Sequence, residues 1–430
     1  MVAGSGFMKF YIYTLGCKVN TYVSNVMKDK LINNGYIEAT ENDADIYIIN
    51  TCTVTNTSDN KSLKTIRKVL KNNKNAIVVA VGCMTQVNSE SLKDLNVPII
   101  LGNSGKSNIV EYIKQFRETN KPIINIEDIM SKEFEDMCLN NFNKTRAFVK
   151  IEDGCENYCS YCIIPFARGK VRSKRPEIVI EEIKNLINDG HKEIVLTGIH
   201  TGHYGADLKE YSFSKLLKEI EEIDGLERLR ISSIEVTELD NEFINILKNS
   251  KILVDHMHIP IQSGSNAILK LMNRKYDKQY FINKIEEIKK VRPNISITTD
   301  LIVGFPGETE ELFNETIDTI NKIGFSKIHV FPFSLRKGTK AEELPNHIDD
   351  LTKKNRVKKL LELSKNLEIE YFNKFINNEV EFLPEIYRDG YIIGHTGNYL
   401  LVKTKGTVKD LNVIKKVKID KVEYPYCIEK

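Results

Sequence analysis

No apolar run in this 430-residue chain approaches the length of a membrane span. Residues 1–7 are small and neutral and lack the apolar core of a signal peptide. Met8 is therefore the expected natural start, the residues before it an expected expression scar, and the cytoplasm the expected compartment. Charge of one sign is scarce as well. The net charge of +3, from 62 Lys and Arg against 59 Asp and Glu, is too small to announce a nucleic-acid partner, so local basic runs are more informative. A phosphate-binding loop is missing too: Gly105-Lys106-Ser107 has the right ending, but the glycine required five positions earlier is Ile100. Lys106 reads instead as an ordinary helix-start residue. What remains is an ordinary globular composition, 41% hydrophobic and 28% charged, in a chain long enough for two or three domains.

Cysteine is not scarce. Eight cysteines without a secretion signal point to a reducing compartment, where thiols serve metals or catalysis. Cys155, Cys159 and Cys162 stand at C-x3-C-x2-C spacing. Three thiolates hold three corners of a 4Fe–4S cube and leave the fourth iron open to a substrate or cofactor. A zinc knuckle or three unrelated buried thiols is the other reading, but zinc sites usually want four ligands and no fourth Cys or His follows nearby. Cys17, Cys52 and Cys83 form a second candidate set. Each follows a predicted strand, and in an open parallel sheet the strands' carboxyl ends share one ligand-binding edge. Small buried cysteines are also common at strand ends. Cys138 reads as a lone thiol.

Periodicity predicts an α/β protein. Residues 8–119 alternate strand and helix as an open parallel sheet domain, with strands at 10–15, 46–49 and 77–81 and helices at 22–33 and 62–70. Residues 120–144 read as a linker. From 145 to 372 the alternation resumes with six strand–helix units, a partial (β/α)6 barrel rather than a full one. Its strands are predicted at 147–151, 193–197, 228–231, 256–259, 295–300 and 328–331, and the loops after them should form the active face. A lysine-rich helix is predicted over 349–376. Period-2 runs from 373 to 430 predict a small β-barrel. Within it, 403–421 carries seven lysines against two aspartates, with Tyr387, Tyr391 and Tyr399 upstream, a composition suited to RNA. A second basic run, Arg168 to Arg175, follows the cysteine loop and is placed to meet RNA phosphates. His200 and His203 read as surface or core residues rather than ligands.

The stretch from Lys150 through Cys155-Glu-Asn-Tyr-Cys159-Ser-Tyr-Cys162 to Arg168-Gly169 resembles the radical S-adenosylmethionine (SAM) enzymes, and among them the methylthiotransferases. The resemblance covers nearly the whole chain from Met8. It implies three parts in this order: an N-terminal cluster domain, the radical-SAM barrel and a C-terminal RNA-binding β-barrel called TRAM. It implies two 4Fe–4S clusters, an auxiliary one on Cys17, Cys52 and Cys83 and a SAM-binding one on Cys155, Cys159 and Cys162. Tyr161 matches the aromatic beside the SAM adenine. Gly198, Ile199, Gln262, Ser263, Ile302, Gly304, Phe331 and Phe333 match the strand ends that line the SAM site; as turn and packing residues they would suit any barrel.

The resemblance further implies replacement of an adenine C2 hydrogen by a methylthio group. One SAM yields the radical that removes the hydrogen, and a second methylates the sulfur. Thr14-Leu-Gly-Cys17-Lys-Val-Asn20 and Asn50-Thr-Cys52-Thr-Val-Thr55 look like the group that modifies N6-threonylcarbamoyladenosine at position 37, beside the tRNA anticodon. Isopentenyladenosine in tRNA and a ribosomal-protein aspartate are the alternative substrates, and a zinc-containing RNA-binding module is the non-enzymatic rival. The implied partners are a tRNA anticodon stem-loop and an electron donor such as flavodoxin or ferredoxin, with no membrane and a monomeric chain.

Overall fold

The computed structural model describes residues 8–139, 142 and 144–429. The expectations for residues 1–7, for positions 140, 141 and 143 of the linker stretch and for residue 430 lie outside them.

Six parallel strands form the N-terminal sheet: β1 (Lys9–Thr14), β2 (Ile37–Glu38), β3 (Ile46–Thr51), β4 (Ile77–Gly82), β5 (Ile99–Leu101) and β6 (Ile123–Asn125), in the spatial order β2-β1-β3-β4-β5-β6. β3 and β4 are continuous runs buried throughout, as expected of central parallel strands covered on both faces. Helix α1 (Lys18–Asn33) begins four residues before its predicted start, because its first turn leaves directly from the Cys17 loop. Helix α2 (Asn56–Asn72) is capped by Thr55, whose side chain accepts from the Ser58 N–H. β6 lies inside the stretch that reads as a linker. Three residues are too few for a periodic signal, and pairing with β5 makes them a strand.

The second unit contains β7 (Arg146–Lys150), β8 (Glu152–Asp153), β9 (Arg172–Ser173), β10 (Glu193–Thr197), β11 (Arg228–Ile231), β12 (His256–His258), β13 (Ser296–Val303) and β14 (Lys327–Pro332). β7-β10-β11 and β12-β13-β14 are two parallel trios, joined by a Leu229–Leu253 bridge into a six-stranded arc. β8 and β9 form a short antiparallel ribbon at the base of the Cys155 loop. One apolar core runs from Phe10 and Val23 in the first unit to Ile194, Leu301 and Leu360 in the second. Polar ties cross the same boundary. Arg336 donates to Thr53 Oγ1 and Asn56 Oδ1 and pairs with Asp59, and Tyr22 donates to Glu182.

The C-terminal strands β15 (Glu379–Arg388), β16 (Tyr391–Thr396), β17 (Leu401–Lys405), β18 (Lys415–Glu423) and β19 (Tyr426–Glu429) close into a barrel. The helix Asp350–Asn373 delivers Tyr371 and Phe372 into its core. Three arginines of β7 and β11 reach into this unit: Arg146 to Glu385, Arg228 to the Glu381 and His395 carbonyls, and Arg230 to the Gly397 carbonyl. Tyr399 departs from expectation. It does not face outward for RNA; it points at the larger barrel, with the Arg230 guanidinium 3.9 Å from its ring centre. Tyr387 and Tyr391 remain exposed, and Lys403 lies 4.6 Å above the Tyr391 ring.

Candidate active site

Cys17, Cys52 and Cys83 follow β1, β3 and β4, which are adjacent in the sheet, so positions far apart in the chain meet at one edge. The packing there is tight. Gly16 has φ +98°, and a Cβ on it would stand 2.7 Å from the Cys52 sulfur, so glycine is required on both counts. Asn20 locks the loop by donating to the carbonyls of Leu15 and Thr51.

The Cys155–Cys162 loop is held at both ends. Cys155 N–H donates to the Gly169 carbonyl, Ser160 N–H to the Met272 carbonyl, and the Ala341 N–H donates to the Ser160 carbonyl. At Gly154, a Cβ would lie 1.8 Å from the Lys170 carbonyl oxygen. Both cysteine triads line one cavity of about 580 Å³, together with Tyr161, Gly198, Ile199 and Gln262. A smaller cavity of about 180 Å³ adjoins it through Tyr161, Cys162 and Gln262, and is lined by Ile302, Phe331 and Phe333. Two residues expected beside SAM sit elsewhere. Ser263 is fully buried and accepts from the Ser265 N–H, and Gly304 donates to Glu308 under Lys353; neither lines either cavity. The reason is local: Gln262 takes a left-handed backbone with φ +67°, which turns the chain there, and Gln262 lines both cavities while Ser263 is buried behind it.

Each triad has a buried arginine aimed at one sulfur. Arg168 Nε donates to Cys83 Sγ at 3.2 Å, and Arg274 Nη1 donates to Cys159 Sγ at 3.2 Å. Arg168 is wholly buried and also pairs with Asp153 and donates to Asn20 Oδ1 at 2.7 Å. Lys150 and Arg172 converge on the same Asp153. Despite burial, these cations hold the Asp153 carboxyl well below the usual carboxylate range. Lys106 is also buried there, donating to Asn103 Oδ1; burial and then Arg168 bring its pKa down to about 7. It is thus no ordinary helix-start residue. Nor does the Arg168–Arg175 run offer five cations to RNA. Arg168, Arg172 and Lys174 are buried, Lys174 against Glu182, and only Lys170 and Arg175 are exposed. The run looks basic in sequence because the carboxylates that neutralise Arg168 and Lys174, Asp153 and Glu182, lie outside it, fifteen and eight residues away.

This donor set fits two iron–sulfur clusters. Burial pushes the Cys162 thiol up to about 12, and burial also raises Cys52 and Cys155. Such thiols ionise only when a cation compensates them, which cluster iron does. Around Cys83, buried cations outnumber Asp153, so a cluster whose net charge with its three thiolates is negative would also be offset there. His200, which sequence placed with the bland histidines, belongs to this site. Its Nδ1 is 3.8 Å from Cys155 Sγ, and its Nε2 contacts Glu238, with His203 stacked alongside. Arg274 had no signal in sequence, since nothing about an isolated arginine 112 residues past Cys162 marks its partner. Of the other two cysteines, Cys138 is exposed and Cys427 is buried in the small barrel.

An incomplete parallel barrel with a three-cysteine loop at the mouth defines the radical-SAM class, and residues 149–320 match the Radical SAM superfamily. Residues 9–102 match the "Uncharacterized protein family UPF0004". Over 424 residues the chain is 43% identical to the threonylcarbamoyladenosine tRNA methylthiotransferase MtaB of Bacillus subtilis (strain 168), covering 96% of this chain and 94% of that one. It is 37% identical over 396 residues to the protein of the same name from Thermotoga maritima, covering 90% and 89%. It is also 37% identical over 382 residues to a tRNA-2-methylthio-N(6)-dimethylallyladenosine synthase of Natranaerobius thermophilus, covering 87% and 84%. The chain belongs to the radical-SAM methylthiotransferase family. Among solved structures, the radical SAM methyltransferase TsrM of Kitasatospora setae shares the fold at a TM-score of 0.57 and 12% identity, over 77% of this chain and 73% of that one. Among the described residues no helix is long and apolar enough to cross a membrane.

Proposed function

We propose that this protein is a tRNA methylthiotransferase that converts N6-threonylcarbamoyladenosine at position 37 to its 2-methylthio derivative. The observation that carries the reading is the single cavity shared by two cysteine triads, one in each α/β unit. A C2 hydrogen on adenine is neither acidic nor electrophilic, so side-chain acid–base chemistry alone does not remove it, and cofactors carry the difficult step. When bound, the two clusters and SAM supply the radical that takes the hydrogen and the sulfur that replaces it. Cys155, Cys159 and Cys162 would hold one cluster, and Cys17, Cys52 and Cys83 the other.

The chain's own residues do the rest. Gly198 and Ile199 give the cavity a narrow wall, with the Ile199 and His200 N–H groups turned back onto Glu152. Tyr161, packed edge-on against Phe305, fixes one side of the smaller cavity, whose lining of Ile302, Phe331 and Phe333 suits an adenine. Arg168 and Arg274 hold one sulfur of each triad in place. The target base lies in a single-stranded loop, where unstacking costs little, and swings into the shared cavity. We take the physiological reaction to run in the cytoplasm on a monomer fed by a flavodoxin- or ferredoxin-type donor.

The substrate choice rests on the 43% relative and on the words around Cys17 and Cys52. Anaerobically reconstituted protein is expected to methylthiolate an anticodon stem-loop carrying N6-threonylcarbamoyladenosine. Activity confined to the dimethylallyl version, or a mass shift on a ribosomal peptide instead, sinks the assignment. The exposed face of the small barrel carries the tRNA contact. Because this unit is packed into the larger barrel, point substitutions test it more cleanly than deletion. Tyr391→Ala is expected to weaken tRNA binding by about 1–3 kcal/mol, read by fluorescence anisotropy, with SAM cleavage unchanged; unaltered affinity removes this face from the tRNA site.

A further inference from the structure

A second chamber, of about 450 Å³, opens beside the shared cavity. It lies between strands β12–β14 of the larger barrel and the inner face of the small one, and its wall includes His256, His258, His329, Asn398 and Tyr399. Lys18, Ser232, His258 and Asp300 line both spaces, so the two meet along that wall. Nothing in the reaction described above uses this chamber.

Its chemistry is unusual for the inside of a barrel. Lys18 forms no ion pair among the described residues, and the guanidinium groups of Arg146 and Arg230 are spent on the Tyr399 ring of the same wall and on Glu385 and Glu193. Its acidic neighbours in the wall are already engaged: Asp300 with His258 at 3.3 Å, and Glu368 with Lys327 at 2.8 Å and the Tyr424 hydroxyl. Lys18 is thus the cation at the junction that no side-chain ion pair occupies among the described residues. His256 is 6% exposed, and its Nε2 is bonded to Thr298 Oγ1 at 3.0 Å, while its Nδ1 has no partner. Buried polar atoms are nearly always paired, so an unpaired one lining a chamber asks for a ligand. The walls are fixed. Tyr399 is clamped by Arg230, by a hydrogen bond from Arg146 at 3.1 Å, and by the His256 ring edge-on at 4.3 Å.

We propose that this chamber receives the N6 substituent of the target adenosine, with Lys18 binding its carboxylate and His256 Nδ1 hydrogen-bonding its urea or hydroxyl. The inference rests on the threonylcarbamoyl reading above. With the base in the shared cavity, the substituent crosses the common wall beside Lys18. A threonylcarbamoyl group brings a carboxylate, a hydroxyl and a urea, which answer an unpaired ammonium and a buried imidazole nitrogen. A dimethylallyl group brings none of these. It would leave both protein groups desolvated and unpaired, the situation in which a polar site rejects an apolar analogue most strongly. The chamber is thus the point where this chain tells the two adenosine modifications apart.

The test uses full-length protein reconstituted anaerobically, with iron and sulfide measured on every sample. Binding is read by fluorescence anisotropy with one anticodon stem-loop in three versions: unmodified, threonylcarbamoylated and dimethylallylated. Wild type is expected to prefer the threonylcarbamoyl version. Lys18→Met should erase roughly tenfold to a hundredfold of that preference and leave the unmodified loop's affinity unchanged. Equal weakening of all three versions makes Lys18 a backbone-phosphate contact and overturns the proposal. Lys18 adjoins Cys17, so His256→Leu is the second variant; if Lys18→Met loses iron, the decision passes to it. A selective loss for the threonylcarbamoyl version supports the proposal, and no selective loss overturns it. Failure of the functional reading looks different: wild type would then methylthiolate the dimethylallyl loop and not the threonylcarbamoyl one. Wild-type turnover of the threonylcarbamoyl loop, with its preference untouched by either variant, sinks the chamber alone.

Discussion

Cys159→Ala and Cys83→Ala will fail in different ways. Each is expected to lower bound iron from about eight to about four per chain, because each leaves one triad intact. Cys159→Ala should stop SAM cleavage. Cys83→Ala should retain reductive SAM cleavage but form no methylthio product, if its auxiliary triad is the one that would hold the sulfur while Cys155, Cys159 and Cys162 hold the SAM-binding cluster. The separation follows from the fold: Cys83 is anchored by β4 of the N-terminal sheet, whereas Cys159 sits on a loop anchored by Met272, Ala341 and Gly169. Among the described residues no hydrogen bond joins the two sets of sulfurs directly; of the ties between their domains, the one through Arg168 reaches a cysteine sulfur. Iron analysis combined with methionine release on dithionite reduction measures both properties. Loss of SAM cleavage in Cys83→Ala with the second cluster still loaded would show that the triads do not work separately.

Arg168→Leu should be the most damaging substitution outside the cysteines. Its guanidinium is wholly buried and contacts Asp153, Asn20 and the Cys83 sulfur. Removing one member of a buried charge network leaves the others desolvated and costs roughly 3–5 kcal/mol. Asn20 Oδ1 loses its donor, so the Cys17 loop loosens as well. The expected result is a large drop in the denaturation midpoint together with loss of iron from the N-terminal triad first. A change under about 1 kcal/mol, in the range of an exposed pair, would mean that the network is not a structural hinge between the domains.

The fold was largely legible because its elements are long and periodic. β10 at 193–197 and β11 at 228–231 fall on their predicted residues, β10 as an apolar run and β11 as an alternating Arg-Leu-Arg-Ile strand. The short pieces were not legible. β6 has three residues and β19 has four, and pairing rather than pattern makes them strands. In the site, spacing and position after strands picked out all six cysteines that line the cavity. What stayed hidden was partnership. Arg168 and Lys174 read as RNA-facing because the carboxylates that neutralise them, Asp153 and Glu182, lie outside the basic run or at helical distance from it. Tyr399 read as a stacking aromatic because burial between two domains leaves no mark on a single strand. Ser263 falls one residue past Gln262, which lines both cavities, and Gly304 two residues past Ile302, which lines the smaller one.

The central claim is that two cysteine triads on one cavity place a methylthio group on a tRNA adenosine. The nucleoside profile of tRNA from cells with and without this protein, read by mass spectrometry, tests it most directly. The predicted result is that 2-methylthio-N6-threonylcarbamoyladenosine is present with the protein, absent without it, and restored by the wild-type chain but not by Cys83→Ala. An unchanged profile, or loss of the methylthio-dimethylallyl nucleoside instead, would contradict the account.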